Sequence, residues 1–185
     1  VYVNKSERNI KLILNELENN SSDTYMLYQA AKTYYTNKEF SKASHYFDNF
    51  YKSTNYNIDN FYTDGVLLFI YNCIKTKDFE KGLSIINDNI DILNNRCDFY
   101  FACGIFFTEI VAYDFKKYGY LFNNIELSYI NALNIGENNL FDGVEGTGSY
   151  LAAYNLGVYY KLINDIDNSK KYYSLSDTLR YKMLK

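Results

Sequence analysis

The sequence predicts an all-α chain of antiparallel helices stacked as repeated hairpins, on three observations. Apolar residues recur at helical spacing from Ser6 to beyond Tyr173, short polar turns interrupt them at intervals, and pairs of residues twelve positions apart recur in one register. About nine helices with essentially no strand are expected.

The first element, Ser6 to Asn19, places Ile10, Ile13, Leu14 and Leu17 on one helical stripe. Asn19, Asn20, Ser21 and Ser22 break it, and Asp23 is placed to cap the next helix. The chain has no proline, so every later break must come from Gly, Asn, Asp or Ser clusters. The turns Thr36 to Glu39, Thr76 to Asp78 and Asn164 to Asp165 are short enough to require antiparallel neighbours.

Aligning Ala31, Ile70 and Gly157 brings Ala43, Gly82 and Ser169 into register, since 43−31, 82−70 and 169−157 are each 12. Before each of the latter set stands an apolar anchor, Phe40, Phe79 and Ile166, the last expected to be buried; four residues after it come Phe47, Ile86 and Tyr173. Small residues at the paired positions let two helix axes approach closely while aromatics fill the groove beside them. In the third copy Cys103 and Gly104 fit the first helix, but the second-helix match at Ile125, Tyr129 and Ala132 is displaced. There 125−104 is 21, nine beyond 12, which predicts longer helices around Val111 to Leu121.

This register resembles the tetratricopeptide repeat, carried by Leu27, Ala30, Ala31, Tyr34, Ala43 and Phe47 in the first copy. In the last it is carried by Asn155, Leu156, Gly157, Tyr160, Ser169 and Tyr173. The resemblance implies a right-handed α-solenoid of about four hairpins plus an N-terminal helix. A linker helix would cover residues 1–22 and a repeat domain 23–185, with repeats near 23–54, 57–93, 97–136 and 149–185. All four repeats lack the proline that often closes a consensus repeat, and Ile70 replaces the small residue in the second.

Composition narrows the function classes. A formal charge of −3 and a pI near 5.2 supply no broad basic field for a phosphate backbone, which disfavours nucleic acid. The longest apolar runs, Gly65 to Tyr71 and Phe99 to Phe107, fall short of the roughly 20 residues of a membrane span. Cys73, Cys97 and Cys103 lie inside apolar stretches and read as small core residues of a cytoplasmic chain. The 22 Tyr and 13 Phe mean that aromatic rings carry much of the burial.

Three motifs invite chemistry, and each has a plainer reading. Asp165-Ile166-Asp167 spells a metal-binding DxD, yet it falls in a turn where acidic groups serve a helix start. The glycine-rich stretch Gly143 to Ser149 lacks a following Lys for a phosphate cradle and reads as a loop between repeats with Ser149 as helix cap. His45 is the single histidine and has no ligand companions nearby. Glu16 and Glu18 read as a solvated face. No catalytic residue, metal site or cofactor is expected.

The repeat resemblance also implies a docking groove on the first helix of each hairpin. Carried over by position, its residues are Tyr28, Lys32, Tyr35 and Thr36, then Leu67, Tyr71, Ile74 and Lys75. The later repeats give Phe101, Ile105, Thr108 and Glu109, then Tyr154, Val158, Lys161 and Leu162. Such a surface would be aromatic and mostly uncharged, suited to a peptide or protein, or else to packing against an extra helix or a neighbouring domain.

A narrower resemblance rests on ERNIKLILNELENN, DTYMLYQAAKTYY and EGTGSYLAAYNLGVYYKLINDIDNSKKYY. These strings look like the C-terminal repeat region of bacterial family 2 glycosyltransferases, and a start at Val1 fits a piece cut from such a chain. The implied role is acceptor docking or self-association, with the parent's own catalytic domain or a second copy as partner. The alternatives are a free-standing peptide receptor or adaptor and, more weakly, an enzyme within the third-repeat insertion.

Overall fold

The computed structural model describes residues 5–54, 60–137 and 143–183. The expected repeat positions 57–59 and 184–185, and the first four residues of the linker helix, lie outside them. Ten α-helices and a short 3₁₀ turn are present among the described residues, in keeping with the about nine expected. They are α1 (Lys5–Asn19), α2 (Thr24–Thr36), α3 (Phe40–Ser53), α4 (Asn60–Thr76) and α5 (Phe79–Asn89). Then follow α6 (Cys97–Tyr113), α7 (Phe115–Tyr118), the 3₁₀ turn Gly119–Leu121, α8 (Phe122–Ile135), α9 (Tyr150–Leu162) and α10 (Ile166–Met183).

The chain divides into two compact units, Val1–Ile85 and Ile86–Lys185. In the first, α1 lies on α2, α2 and α3 form a hairpin, and α4 packs on both. Ile13 and Leu17 are the buried members of the α1 stripe, and the side chain of Asp23 caps α2 by accepting Met26 N at 2.9 Å. The core is aromatic: Phe47 stacks on Phe69 with centroids 5.2 Å apart, and Phe50 packs against Tyr62 at 6.2 Å. Each such ring contributes about 1.5–3 kcal/mol by leaving water. In the second unit α6 packs on α8, α8 on α9, and α9 on α10, around Phe99, Phe106, Ile110 and Leu156.

The hairpin turns repeat atom for atom. Lys38, Lys77 and Asn164 each take a left-handed φ, of 62°, 59° and 62°. The next residue's amide bonds back five residues at 2.9 Å: Glu39 to Tyr34 O, Asp78 to Cys73 O, Asp165 to Tyr160 O. This closure satisfies the last carbonyls of the first helix and reverses the chain within about three residues. Each second helix then starts seven residues before its Phe47-type position, since 47−40, 86−79, 129−122 and 173−166 are all 7.

The third hairpin keeps this register and inserts the nine residues elsewhere. Gly104 faces the Tyr129 ring as Gly157 faces Tyr173, and 129−104 exceeds 173−157 by 9. The expectation of longer helices through Val111 to Leu121 is corrected. Only four of the nine residues extend α6, whose end lies nine beyond Gly104 where α2 and α9 end five beyond their small residue. Asp114 then breaks the helix at φ −149° and caps α7 by accepting Lys117 N at 3.1 Å, so the rest becomes a short helical elbow. Ile166 is also corrected: it is 46% exposed, not a buried anchor, while Phe79 at the matching position is buried.

Among the described residues no helix is long and apolar enough to cross a membrane.

Candidate functional site

In the first unit, the sequence-predicted docking residues sit on α2 and α4. Tyr28 is only 4% exposed, its ring packed between Phe50 and Phe61 with centroids 6.0 and 5.8 Å away. Its hydroxyl donates to Asp64 on α4, and Lys32 Nζ donates to both Asp64 Oδ2 and the Tyr28 oxygen at 2.8 Å. This triad ties α2 to α4. Burial, then the hydrogen bond to Asp64, push the Tyr28 phenol up to about 12. For Lys32, burial acts to lower the ammonium, but the bonds to Asp64 and Tyr28 prevail and raise it to about 12.

Further along α2, Tyr35 is half-buried with its edge on Phe40 at 5.6 Å, and burial raises its phenol. On α4, Leu67 and Tyr71 are half-buried and Lys75 is exposed in the last turn, one residue per turn along the helix.

In the second unit the predicted residues lie on α6 and α9. Phe101 is half-buried against Tyr129 at 5.7 Å, and Ile105 stands a turn later, also half-buried. Tyr154 is 51% exposed with its edge on Tyr173 at 5.4 Å, Val158 is half-buried, and Lys161 and Leu162 are exposed. The opposite side of α9 is tied to α8, where the Tyr160 hydroxyl donates to Glu126, and burial with that bond raises the Tyr160 phenol.

The motifs that suggested chemistry are engaged otherwise. Asp165 caps α10, Oδ1 accepting Asn168 N at 3.1 Å and Oδ2 accepting Asn168 Nδ2 at 2.7 Å, and these bonds lower its carboxyl. Asp167 is exposed one residue into the helix. His45 is exposed, with Asn49 Nδ2 3.2 Å from its Nε2 and its ring edge-on to Tyr46. Among the described residues no three of His, Cys, Asp and Glu are grouped to hold a metal.

Ser149 stands at the start of α9 but makes no side-chain cap, correcting the sequence reading. Its hydroxyl donates instead to Glu137 Oε1 at 2.9 Å, which also accepts the amides of Gly146 at 3.0 Å and Gly148 at 2.9 Å. The loop is an anion cradle filled by the chain's own carboxylate. Sequence alone flagged the glycines but could not pair them with Glu137, nine to eleven residues away.

Beside that cradle is a pocket of about 320 Å³ reached by Arg96, Cys97, Asp98, Glu137 and Thr147. Arg96 and Asp98 are buried and form a forked pair, Nε to Oδ1 at 3.1 Å and Nη2 to Oδ2 at 2.7 Å. Cys97 is half-buried at this pocket, whereas Cys73 and Cys103 are core thiols as expected. Burial pushes the Cys73 thiol up to about 12.

No family model matches the chain, and no curated protein matches it. Solved structures do. MamA aligns at a TM-score of 0.72 and 13% identity over 100% of this chain and 99% of that one. MamA from Desulfovibrio magneticus RS-1, residue 41 to the end, gives 0.73 and 11% over 96% and 86%. YrrB, described as a TPR protein with an unusual peptide-binding site, gives 0.64 and 16% over 95% and 78%. The chain has a tetratricopeptide-type fold. Its hairpins are α2 with α3, α6 with α8 and α9 with α10, and the turn between α4 and α5 closes in the same way. The comparisons lend no support to the glycosyltransferase resemblance.

Proposed function

We propose that the chain is a non-catalytic docking module that binds a peptide or protein through the exposed first-helix faces of its hairpins. The observation that carries this reading is the set of half-exposed aromatic residues repeated on those helices, Tyr35 and Tyr71 in the first unit and Tyr154 in the second. Rings of this kind supply large contact area and a hydroxyl with few torsions to freeze, and tyrosines commonly dominate such interfaces. The peptide-binding site named for YrrB, on a similar fold, points the same way. Tyr28 is set apart from the anchors by its burial and acts as a strut behind the face. The finer form of the reading, acceptor docking beside a glycosyltransferase catalytic domain, rests on sequence resemblance alone.

The test is a peptide array probed with the full chain, followed by calorimetry of the strongest sequences. Tyr35→Ala, Tyr71→Ala and Tyr154→Ala should each weaken binding while circular dichroism stays unchanged. Sedimentation of the same variants separates recognition from self-association, for a dimer lost with peptide binding intact assigns the aromatics to assembly. Unchanged affinity and unchanged mass in all three variants would remove the proposal.

A further inference from the structure

At one edge of the first unit the α2–α3 turn and the end of α4 enclose an open pocket of about 480 Å³, bordered by Lys38, Lys42, Lys75, Glu39, Phe40 and Thr76. Lys42 pairs with Glu39 at 2.5 Å and is neutralised by it. Lys38 and Lys75 have no ion-pair partner among the described residues, so this rim is electropositive on a chain whose formal charge is −3.

Helix ends attract lysine through the dipole, and that accounts for Lys75 in the last turn of α4. The same dipole reaches Lys38, two residues past the end of α2, but does not explain the backbone that Lys38 adopts. Lys38 holds φ at 62°, a left-handed conformation that side chains other than Asn, Asp and Gly adopt at a cost, and the matching turn of the last hairpin uses Asn164. Both left-handed positions in the first unit, 38 and 77, carry lysine instead. A costly backbone state filled by a charged residue, where a cheaper residue fits, points to use of the charge.

We infer that this pocket receives an acidic segment of a partner polypeptide, with carboxylates on Lys38 and Lys75 and a neighbouring apolar side chain against Phe40. The inference rests on the docking reading above and gives it a chemical class of partner. Two uncompensated ammonium groups match a short pair of Asp or Glu side chains, whereas a long polyanion such as nucleic acid would meet the repulsion of the acidic chain. Tyr35, whose edge packs on Phe40, joins the pocket to the first-helix face.

The probe is a fluorescein-labelled peptide alternating Glu with Ala and Phe, titrated with the full chain by fluorescence anisotropy, beside a control with Lys in place of Glu. The acidic peptide should bind and the control should not, and affinity should fall as ionic strength rises from about 0.05 to about 0.5 M. Lys38→Asn with Lys75→Gln should weaken binding about tenfold. Asn suits the left-handed site, so Lys38→Asn keeps or raises the melting temperature, and lost binding there cannot be blamed on unfolding. No saturable binding of the acidic peptide, equal binding of the Lys control, or an unchanged affinity in the double variant would each overturn the inference. If array peptides without acidic residues still bind and depend on Tyr71 but not on the lysines, the docking reading stands and this inference alone fails.

Discussion

The crossing from Ala31 to Phe47 in the first unit and that from Gly157 to Tyr173 in the second share a spacing of 16 residues but not a separation. Ala31 carries a buried Cβ among its neighbours. At Gly157 a Cβ would lie 2.8 Å from the Tyr173 ring, and Ser169 Oγ donates to the Gly157 carbonyl at 2.9 Å, so the helices meet backbone to side chain. Gly104 repeats the arrangement under Tyr129, where a Cβ would come within 2.5 Å. The α2–α3 crossing at Ala31 therefore tolerates a side chain where the α6–α8 and α9–α10 crossings tolerate none, while the close approach in the first unit is shifted to Gly65 on α4, where a Cβ would lie 2.5 Å from the Phe50 ring.

This difference sets where each unit breaks. Phe47 is fully buried and stacked on Phe69, so Phe47→Ala removes both transfer energy and packing and leaves a cavity. Urea unfolding followed by circular dichroism should register a loss of about 3–5 kcal/mol. A loss under about 1 kcal/mol would mean that the first unit does not depend on its stacked rings.

Overpacking should be the failure mode of the second unit. Gly157→Leu should cost about 1–3 kcal/mol, because the Tyr173 ring cannot retreat without opening the α9–α10 contact. An unchanged melting temperature would show that the crossing has room and would erase the contrast with Ala31.

Much of this was legible in the sequence because tetratricopeptide packing is local. The twelve-residue spacing, the three turns and the nine-residue displacement all follow from residues close in the chain. The elbow after Tyr113 was not legible, since a single residue, Asp114, ends one helix and caps the next, and periodicity cannot place that break. Burial of Tyr28 was hidden for a related reason. Its partners Phe50, Phe61 and Asp64 arrive from α3 and α4, and the spacing along α2 alone does not separate a ring on an open face from one beneath it. The Glu137 cradle depends likewise on how a loop folds back. For the docking residues the sequence supplied helix positions, and which of them stand open came from packing.

The two units also pin neighbouring helices in parallel ways, Tyr28 to Asp64 in one and Tyr160 to Glu126 in the other, with Lys32 joining the first pair. The Tyr28 phenol and the Lys32 ammonium both hold their protons more tightly in the fold, near 12 against ordinary values of 10.0 and 10.5. Stability from this triad is complete below about pH 10 and declines as pH rises toward about 12, because the unfolded chain releases these protons first. Tyr28→Phe with Lys32→Met should flatten the alkaline slope of unfolding free energy over that window, leaving the part due to the other groups that burial raises, among them Tyr160, Tyr129, Cys73 and Cys103. A slope equal to the parent's would show that the triad does not couple to folding.

The smallest expected effect compares one residue across three turns in register, Glu39, Asp78 and Asp165, which each precede a second helix. Glu39 makes no side-chain cap, Asp78 Oδ1 reaches Lys81 N at 3.4 Å, and Asp165 accepts Asn168 N at 3.1 Å and its amide at 2.7 Å. A carboxylate on one methylene can turn back to the third amide of the helix, while the longer Glu39 side chain goes to Lys42 instead. Substitution by Ala should therefore be graded. Asp165→Ala should cost the most, Asp78→Ala less, and Glu39→Ala least, since it loses only a surface ion pair. Thermal unfolding of the three variants reads this order directly. Equal losses at Glu39 and Asp165 would mean that the turns are stabilised by their left-handed backbone closure alone, and that the caps, unlike the crossings, do not distinguish the two units.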